Sequence, residues 1–474
     1  MKKFNKSKYL NRLKLKRYWQ NNSRYFYIGI SCILCLVLGI YFTYSKFFVL
    51  SEEDVARTTV GEFIYGDIIM TPYVDGQYSS TFPEKKTGIN VEKVVCDDDV
   101  TASWDEDKWG LYVTNLNKRT KCNIYFVTPA SCDINDNVSC IDSREGLVTL
   151  ATEVNNGDSK SGKIIYLISD LDLGGRFDGE GNVLDGNISW TPIGTEDNPF
   201  SGTFDGDGHI ISNMYVNADK ITGMFNYISY GNLKNFGIES SYVYTTNEGS
   251  ATLAGTVEHG IIANIYSNGN SGGTSSSAGM VSILISAELK NCYNRSDVTS
   301  NYKQFTAGLV GYATGFASKI KNSYNYGNII NGGYESGGIV GGLQGKVENT
   351  YNFGKVNGYG RSGGIVGQMY DTTSPSVYNS YNYGTINGGG IVGNIYLNSS
   401  ENYKLSGNFY LKGSAVYGAQ TNGVTFDIGA EPLSSDEMPN VMSVINGDNA
   451  FVEDTNNINN GYPILKWQAE RENN

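Results

Sequence analysis

The chain has 474 residues, with 58 glycines and 35 tyrosines, and its formal net charge is −12. Residues 1–50 contribute ten basic groups and no acidic group, which leaves −22 on residues 51–474. So acidic a main body argues against nucleic acid and anionic lipid surfaces as its partners.

The first 50 residues have the composition of a membrane anchor. Residues 1–24 form a basic tail, and residues 25–44 contain no charged residue and have tyrosines near both ends. Twenty apolar residues in a helix span a hydrocarbon core, and a basic flank stays in the cytoplasm. The sequence therefore predicts a transmembrane helix at 25–44, a cytoplasmic N-terminus and an exported C-terminal region. The alternative is a cleaved signal peptide, although no Ala-x-Ala site follows.

Residues 51–130 predict a small extracellular all-β module. Alternating runs at 91–96, 109–113 and 122–127, with turn residues between them, indicate short antiparallel strands. Cysteines are expected to be oxidised in an exported protein. Cys96 and Cys122 stand at the ends of neighbouring predicted strands, and Cys132 with Cys140 would close a short loop. These two disulfides are one of three connectivities for four cysteines, and the other two stay open.

Both ends of the following region predict caps, which a solenoid needs because a terminal coil is an open strand edge. Apolar residues at helical spacing within 143–155 predict a helix over the first coil, and 163–173 predicts the first clear strand. Residues 431–474 form the predicted C-terminal capping segment. It opens with a capping-box pattern at 434–437, and residues 464–467 are expected to lie against the last coil.

A repeated phrase organises residues 234–410. Its full form is an apolar residue followed by Asn-x-Tyr-Asn-x-Gly-x-Ile/Val, and copies of a Gly-Gly-Ile-Val-Gly phrase lie between. The leading asparagines, 27 to 31 residues apart, are Asn235, Asn264, Asn291, Asn322, Asn349, Asn379 and Asn408. The repeat positions expected to be structural are Gly308, Gly311, Asn322, Tyr324, Gly338, Gly341, Asn349, Tyr351, Gly364, Gly367, Asn379, Tyr381, Gly390 and Gly393.

This period predicts stacked β-structure. Runs rich in Ile, Val and Tyr indicate strands, and the Gly and Asn between them indicate turns. One unit cannot bury its apolar face, whereas stacked units form a continuous core. We therefore expect a mainly β fold, a right-handed parallel β-helix with one coil per repeat over residues 140–430. Aligned asparagines would hydrogen-bond and aligned tyrosines would stack. A β-propeller is the alternative, but its blades need about 40–50 residues.

The Gly-Gly-Ile-Val-Gly copies, such as residues 337–341, resemble the Gly-Leu-x-Gly motif of GLUG-repeat surface proteins of bacteria. Residues 190–194 followed by 199–213 resemble the leader of such proteins, and residues 461–467 resemble their end. The resemblance covers about residues 140–470. It implies a β-helical, adhesin-like protein at a bacterial cell surface, here anchored in the cell membrane by a single span. It supplies no catalytic residues.

Parallel β-helices include enzymes that cleave acidic polysaccharides, so catalysis has to be weighed. Such chemistry needs paired carboxylates, or calcium and a base, on one face. Acidic residues cluster between 170 and 207, and Asp178-x-Glu180-x-Asn182 resembles a calcium loop, but Val183 replaces the required glycine. His209 and His259 are isolated in the sequence. We expect no catalytic residue, metal ligand or cofactor. The alternatives are calcium at these loops and a polysaccharide lyase or hydrolase.

The expected function is therefore the display of an extended surface that binds a glycan or a protein outside the cell. Exposed aromatic residues would serve such binding, and Tyr326, Tyr334, Tyr359 and Tyr383 are candidates. The alternative for each is packing within a tyrosine ladder. Cys292 takes a variable place in the repeated phrase and is expected to be a small free thiol inside the stack.

Overall fold

The computed structural model describes residues 57–59, 62–65, 68–74, 77–79, 82, 90–97, 101–105, 110–114, 119–127, 137–300, 304–397, 402–445 and 449–472. The predicted basic tail 1–24 and transmembrane helix 25–44 lie outside the described residues. The chain divides into two compact units, residues 1–131 with 473–474, and residues 132–472.

The N-terminal unit contains a small β-sheet and a separate hairpin. Strand Ile68–Val74 runs parallel to Thr120–Val127, so one pairing departs from the predicted antiparallel module, while the other pairings are antiparallel. Buried Ile68, Ile124 and Phe126 form part of its core. The strands of the sheet are Arg57–Thr59, Glu62–Tyr65, Ile68–Val74, Gln77–Tyr78, Asn90–Cys96 and Thr120–Val127, and those of the hairpin are Thr101–Asp105 and Gly110–Thr114.

Cysteines join strands in this unit. Cys96 and Cys122 lie opposite each other on antiparallel strands and form a disulfide. Cys140, which belongs to the C-terminal unit, is disulfide-bonded as well, while its predicted partner Cys132 lies outside the described residues. The Cys96–Cys122 disulfide is the one that the sequence predicted from the ends of neighbouring strands.

The prediction of a single-pass protein in a bacterial cell membrane is wrong for the part of the chain that the structure describes. Its α-helices there are α1 (Arg144–Asn155), α2 (Met442–Ile445) and α3 (Lys466–Glu472), and none is long and apolar enough to cross a membrane. Even α1, with 12 residues, spans about 18 Å at helical rise, against about 30 Å of hydrocarbon. The segment on which the prediction was based, 25–44, is outside the described residues.

The C-terminal unit contains a mainly β parallel β-helix, whose strands form three sheets along its long axis, and a separate two-stranded antiparallel sheet, Phe451–Val452 with Ile464–Leu465. The ladder sheet carries the Asn-x-Tyr-Asn phrases, the Gly-Val sheet follows the Gly-Gly-Ile-Val-Gly phrases, and the corner sheet precedes them. The strands of the ladder sheet are Val138–Ile141, Ile164–Leu167, Leu171–Asp172, Thr203–Asp205, Ile210–Ser212, Tyr215–Ala218, Asn232–Thr245, Ile261–Gly273, Glu288–Lys290, Tyr293–Asn294, Val298–Ser300, Lys319–Asn325, Ile329–Gly332, Lys346–Asn352, Val356–Gly358, Ser376–Tyr378, Tyr381–Asn382, Lys404–Ser406, Asn408–Leu411 and Ala430–Leu433. Those of the Gly-Val sheet are Phe225–Ser229, Ala254–Glu258, Val281–Ile285, Val310–Thr314, Val340–Leu343, Val366–Tyr370, Val392–Tyr396, Ala419–Thr421 and Val424–Phe426. Those of the corner sheet are Ser277–Ala278, Phe305–Ala307, Glu335–Gly337 and Arg361–Gly363.

Equivalent residues of successive repeats lie side by side. Ile320, Val347 and Val377 are aligned on adjacent parallel strands and are fully buried. Across the coil, Val340 and Val366 of the Gly-Val sheet are aligned in the same way and join the same core. Each strand hydrogen-bonds to the strands of both adjacent coils, which holds the coils in register. A single coil could not bury its apolar side chains alone, whereas the stacked coils enclose a shared apolar core.

The leading asparagines of the repeats form a corner of the coil. Six of the leading asparagines have left-handed backbone conformation, with φ between 49° and 61°: Asn235, Asn264, Asn291, Asn322, Asn349 and Asn379. Asparagine tolerates this conformation better than other non-glycine residues. Their amides bond along the stack, for example Asn264 Nδ2 to Asn235 Oδ1 at 2.9 Å. In the last copy Gly407 has the positive φ instead, and Asn408 is buried.

The second asparagine of the phrase forms a ladder inside the coil. Asn352 is fully buried, and its Nδ2 donates to Gly354 O and to Asn382 Oδ1, both at 2.8 Å. A Cβ atom on Gly338 would lie 2.3 Å from the Cγ of Asn352, so the glycine is required for close approach and not for a turn. Glycines that a Cβ would likewise bring to 2.6–2.7 Å from a backbone oxygen of the preceding coil are Gly311, Gly341, Gly367 and Gly393.

Both ends of the solenoid differ from the repeats. Helix α1 begins after Ser143, whose Oγ accepts from the backbone N of Gly146, and its buried residues join the core of the first coils. At the other end the Gly-Val sheet finishes in an antiparallel hairpin, Ala419–Thr421 with Val424–Phe426. The last strand of the ladder sheet contains Pro432, which has no N–H to offer to a further strand.

Stacked tyrosines run along the outside of the ladder sheet. We call Tyr266, Tyr293, Tyr324, Tyr351 and Tyr381 the tyrosine column. Successive ring centroids are 4.9 to 5.1 Å apart, and the rings are nearly parallel. Tyr324, Tyr351 and Tyr381 are nevertheless fully buried, which means that another part of the chain covers them.

The covering part is residues 449–472, which we call the C-terminal strap. It starts near Tyr381, where Phe451 packs at 6.0 Å and Pro463 O accepts from the tyrosine hydroxyl. Gln468 Oε1 then accepts from Tyr351, and Trp467 stacks on Tyr324 at 5.7 Å. The strap thus leaves the last coils and runs back along the column, whereas the sequence predicted that residues 464–467 lie against the last coil.

Candidate ligand-binding face

The outer surface of the Gly-Val sheet is where the coils present aligned side chains that no repeat phrase specifies. Tyr312, Gly342, Gln368 and Asn394 occupy one row across adjacent strands. Each follows the last glycine of its phrase by one residue, and the next outward position lies two residues further along. The period of two therefore places variable residues on this surface.

Four aromatic residues on and beside this surface make up what we call the aromatic face: Phe305, Tyr312, Tyr370 and Tyr396. The ring of Phe305 lies parallel to that of Tyr312, with centroids 4.5 Å apart. Tyr370 meets both rings edge-on, at 6.4 and 6.1 Å. A Cβ on Gly342 would lie 2.4 Å from Phe305, so this glycine lets the stacked rings lie flat on the sheet. Tyr396, which is 49% exposed, extends the row beyond Tyr370.

An exposed tyrosine pair adjoins this face. Tyr334 and Tyr359 are 48% and 65% exposed, and their rings meet edge-on at 5.4 Å. Glu335, one residue after Tyr334, and Arg361, two residues after Tyr359, are aligned on the corner sheet and form an ion pair at 3.0 Å. Aromatic rings with large accessible faces are therefore held next to one carboxylate and one guanidinium.

Burial sets the protonation of the groups in this region. It raises the pKa of Glu335 above its ordinary value, against the opposing effect of the Arg361 charge. Burial, together with the nearby charge of Glu335, raises the pKa of Tyr370 to about 12. The tyrosine therefore stays neutral at physiological pH and can donate a hydrogen bond to a ligand.

The four tyrosines proposed from the sequence separate into two groups. Tyr334 and Tyr359 lie in the exposed pair, as their predicted role requires. Tyr326 is half-buried and packs against Phe353 at 5.4 Å, while Tyr383 packs against Tyr462 of the strap at 4.7 Å. These two rings therefore belong to the packing beneath the C-terminal segment, which was the alternative interpretation.

Asp170, Asp178 and Asp205, three of the acidic residues between 170 and 207, are engaged in local structure. Asp178 accepts from the backbone N of Glu180 and of Asn182, which closes its turn. Asp205 pairs with Lys234 at 2.8 Å. Asp170 accepts from the ring of His209 at 3.1 Å. Across the ranges that the structure describes, no group of three or more His, Cys, Asp or Glu residues is arranged to hold a metal ion.

Glu288 and Glu348 on the ladder sheet are neutralised by lysines of the same coil and of the adjacent coil. Glu348 contacts Lys319 at 2.6 Å and also Lys346, and Glu288 contacts Lys321 at 3.0 Å. Because a general acid and base must be free to exchange protons with a substrate, carboxylates in such pairs suit a structural role.

The remaining candidate groups are also in packed settings. His259 stacks on the exposed Tyr230 with centroids 4.8 Å apart and lies 3.8 Å from Glu258. Cys292 is a free, buried thiol, and burial raises its pKa to about 12, so little thiolate forms at neutral pH.

The aromatic face itself was not predicted, because its members lie at variable positions outside the repeated phrases. A signal was present in the sequence. Gln368 and Tyr370 stand one and three residues after the phrase glycine Gly367, and Asn394 with Tyr396 repeat that spacing in the next coil. Strand alternation applied beyond the phrase would have placed all four on one surface.

Comparison with known proteins leaves the assignment to the geometry. No family model matches the chain, and no curated protein matches it. A solved structure described as "a putative immunoglobulin A1 protease from Bacteroides ovatus" is similar at 20% sequence identity with a TM-score of 0.43, over 69% of this chain and 92% of that one. Similarity at this level carries no argument about activity.

Proposed function

We propose that this protein is a non-catalytic, adhesin-like β-helix that binds glycans on the surface formed by the aromatic face and the exposed tyrosine pair. The observation that carries the proposal is the exposure of Tyr334 and Tyr359 beside Glu335 and Arg361, next to aligned aromatic rings on a rigid sheet. We also propose, on the motif resemblance alone, that its repeats are of the GLUG type.

The chemistry of this surface suits a sugar. A pyranose ring has one face of C–H groups that packs on an aromatic ring, and its hydroxyls need polar partners at the rim. The guanidinium of Arg361, whose side chain is 46% exposed, offers hydrogen-bond donors there, and the buried Glu335 carboxylate accepts one of its hydrogen bonds at 3.0 Å. Because the supporting strands are fixed by the stack, the rings lose little freedom on binding. No cofactor is required, and no bond to the ligand is made or broken.

The test is a glycan array probed with the full chain, with calcium and with chelator, alongside the Tyr334→Ala/Tyr359→Ala variant. Tyr78→Ala is the matched control, because Tyr78 is 52% exposed and belongs to the N-terminal unit. We expect saturable binding that the double variant loses and the control keeps, in either buffer. A calcium requirement would assign the binding to another site, such as the loops at 170–207.

The same samples are examined for reaction products. Shortened or unsaturated saccharides would contradict the proposal and favour the polysaccharide-active alternative. Glycan binding that survives the double variant would show that the exposed tyrosine pair is not part of the binding site.

A further inference from the structure

A cleft lies between the C-terminal strap and the ladder sheet, built from residues outside the aromatic face. Its volume is about 500 Å³, within the range of about 300–1,000 Å³ typical of small-molecule sites. Lining residues from the coils include Lys319, Lys321 and Asn322, and those from the strap include Lys466 and Trp467. The indole of Trp467 donates to Asn322 O at 2.8 Å, which fixes the strap against the coil at this point.

The cleft is basic on a protein that is acidic as a whole. Along this corner the ion-paired groups are four lysines, 290, 319, 321 and 346, against two carboxylates, Glu288 and Glu348. Lys466 and Glu470 in the strap add one charge of each sign. This wider corner therefore carries two positive charges in excess, and the lining of the cleft alone, with Lys319, Lys321 and Lys466 against Glu348 and Glu470, carries one, in a chain whose formal net charge is −12.

The lysines keep donors for a ligand. An ammonium group has three N–H donors, and Lys321 directs one of them to Glu288. The side chain of Lys321 is 26% exposed, and Lys466 is exposed. The amides of Asn291 and Asn322 also line the cleft and offer both donors and acceptors. A ligand that matches this lining carries a negative charge and several hydroxyl groups.

We propose that this cleft is a second binding site, which takes an acidic sugar unit and holds it between the strap and the ladder sheet. The anionic group lies among Lys319, Lys321 and Lys466, and the hydroxyls contact the asparagine amides. An occupant that contacts both walls also stabilises the strap in its docked position.

Titration calorimetry of the full chain tests this with tetragalacturonate, a heparin-derived tetrasaccharide and, as the neutral probe, cellotetraose. We expect one or both acidic probes to bind more tightly than cellotetraose, and the affinity to fall with added salt. Binding of one acidic probe assigns the site to carboxylated or to sulfated sugars. Lys466→Gln and Lys321→Gln should each weaken it about tenfold, whereas Lys355→Gln, an exposed lysine outside the lining, should not.

A second measurement is protection of the strap from proteolysis, which the acidic probe should increase in the unmodified chain and not in Lys466→Gln. Equal affinity for neutral and acidic probes, unchanged affinity in both cleft variants, or binding of no acidic probe would overturn the proposal. The result is separable from the aromatic surface, because Tyr359→Ala should leave the titration unchanged.

Discussion

Asn352→Ala is expected to destabilise the β-helix by about 4 kcal/mol. Asn352 is fully buried and accepts from Asn325 Nδ2 at 2.9 Å while donating to Asn382 Oδ1 and Gly354 O. Truncation strands one N–H of Asn325 and the amide oxygen of Asn382 inside the coil. Each buried group left without a partner costs about 1–3 kcal/mol, and the vacated volume adds to this.

Urea denaturation followed by far-UV circular dichroism measures this effect. With a slope of about 3 kcal/mol per molar urea, the midpoint should fall by about 1.3 M. Asn264→Gly is the matched control, because Asn264 belongs to the exposed ladder and glycine keeps its φ of 57° without strain. We expect the control midpoint to change little. If Asn352→Ala and the control shift the midpoint equally, the buried asparagines inside the coil contribute no more to stability than the exposed ones.

Three further predictions concern packing, charge and the strap. Gly338→Ala should destabilise the fold by about 2 kcal/mol or more in the same assay, while Gly179→Ala, with open space around it, should not. Glu348→Gln should lower the free energy of unfolding at pH 7 and lose that effect near pH 3. Burial opposes ionisation of Glu348, but hydrogen bonds from Lys319 and Lys346 hold the pKa of this carboxyl below its ordinary value of 4.5. The ionised carboxylate therefore stabilises the fold above pH 4.5, and this stabilisation is lost as the pH falls through the pKa of the folded state. Trp467→Ala should expose the strap to protease, and unchanged digestion would contradict its docking role.

The coil period and its pairings could be read from the sequence because each repeat carries the same phrase. Tyr324 and Asn325 lie beside Tyr351 and Asn352 in the register that aligning the phrases predicts. The asparagine hydrogen bonds and tyrosine stacks follow from the same alignment. Without a repeated phrase the sequence would not have predicted which residues pair, because the register would then depend only on which face of each strand is buried.

The course of the C-terminal strap could not be read in the same way. Trp467 bonds to Asn322 across 145 residues of sequence, and Pro463 bonds to Tyr381 across 82. The apolar residues near 464 indicate that this segment packs on something, but neither its period nor its composition specifies a direction. The direction of the strap is set by the tyrosine column that it covers, and that column exists only after the coils have stacked.

The residues that repeat from coil to coil and the residues of the proposed ligand surface lie on different sides of the β-helix for a physical reason. The inside of the coil and the tyrosine column are committed to packing, because Asn352 loses a hydrogen bond and Tyr351 loses a stacked ring if an adjacent copy changes. The outward row after each phrase glycine lies outside the repeated phrases, and it reads Tyr312, Gly342 and Gln368 in successive coils. A solenoid can therefore change the side chains it shows to a ligand without changing the phrases that fold it. That separation is what places the proposed glycan surface on the Gly-Val side.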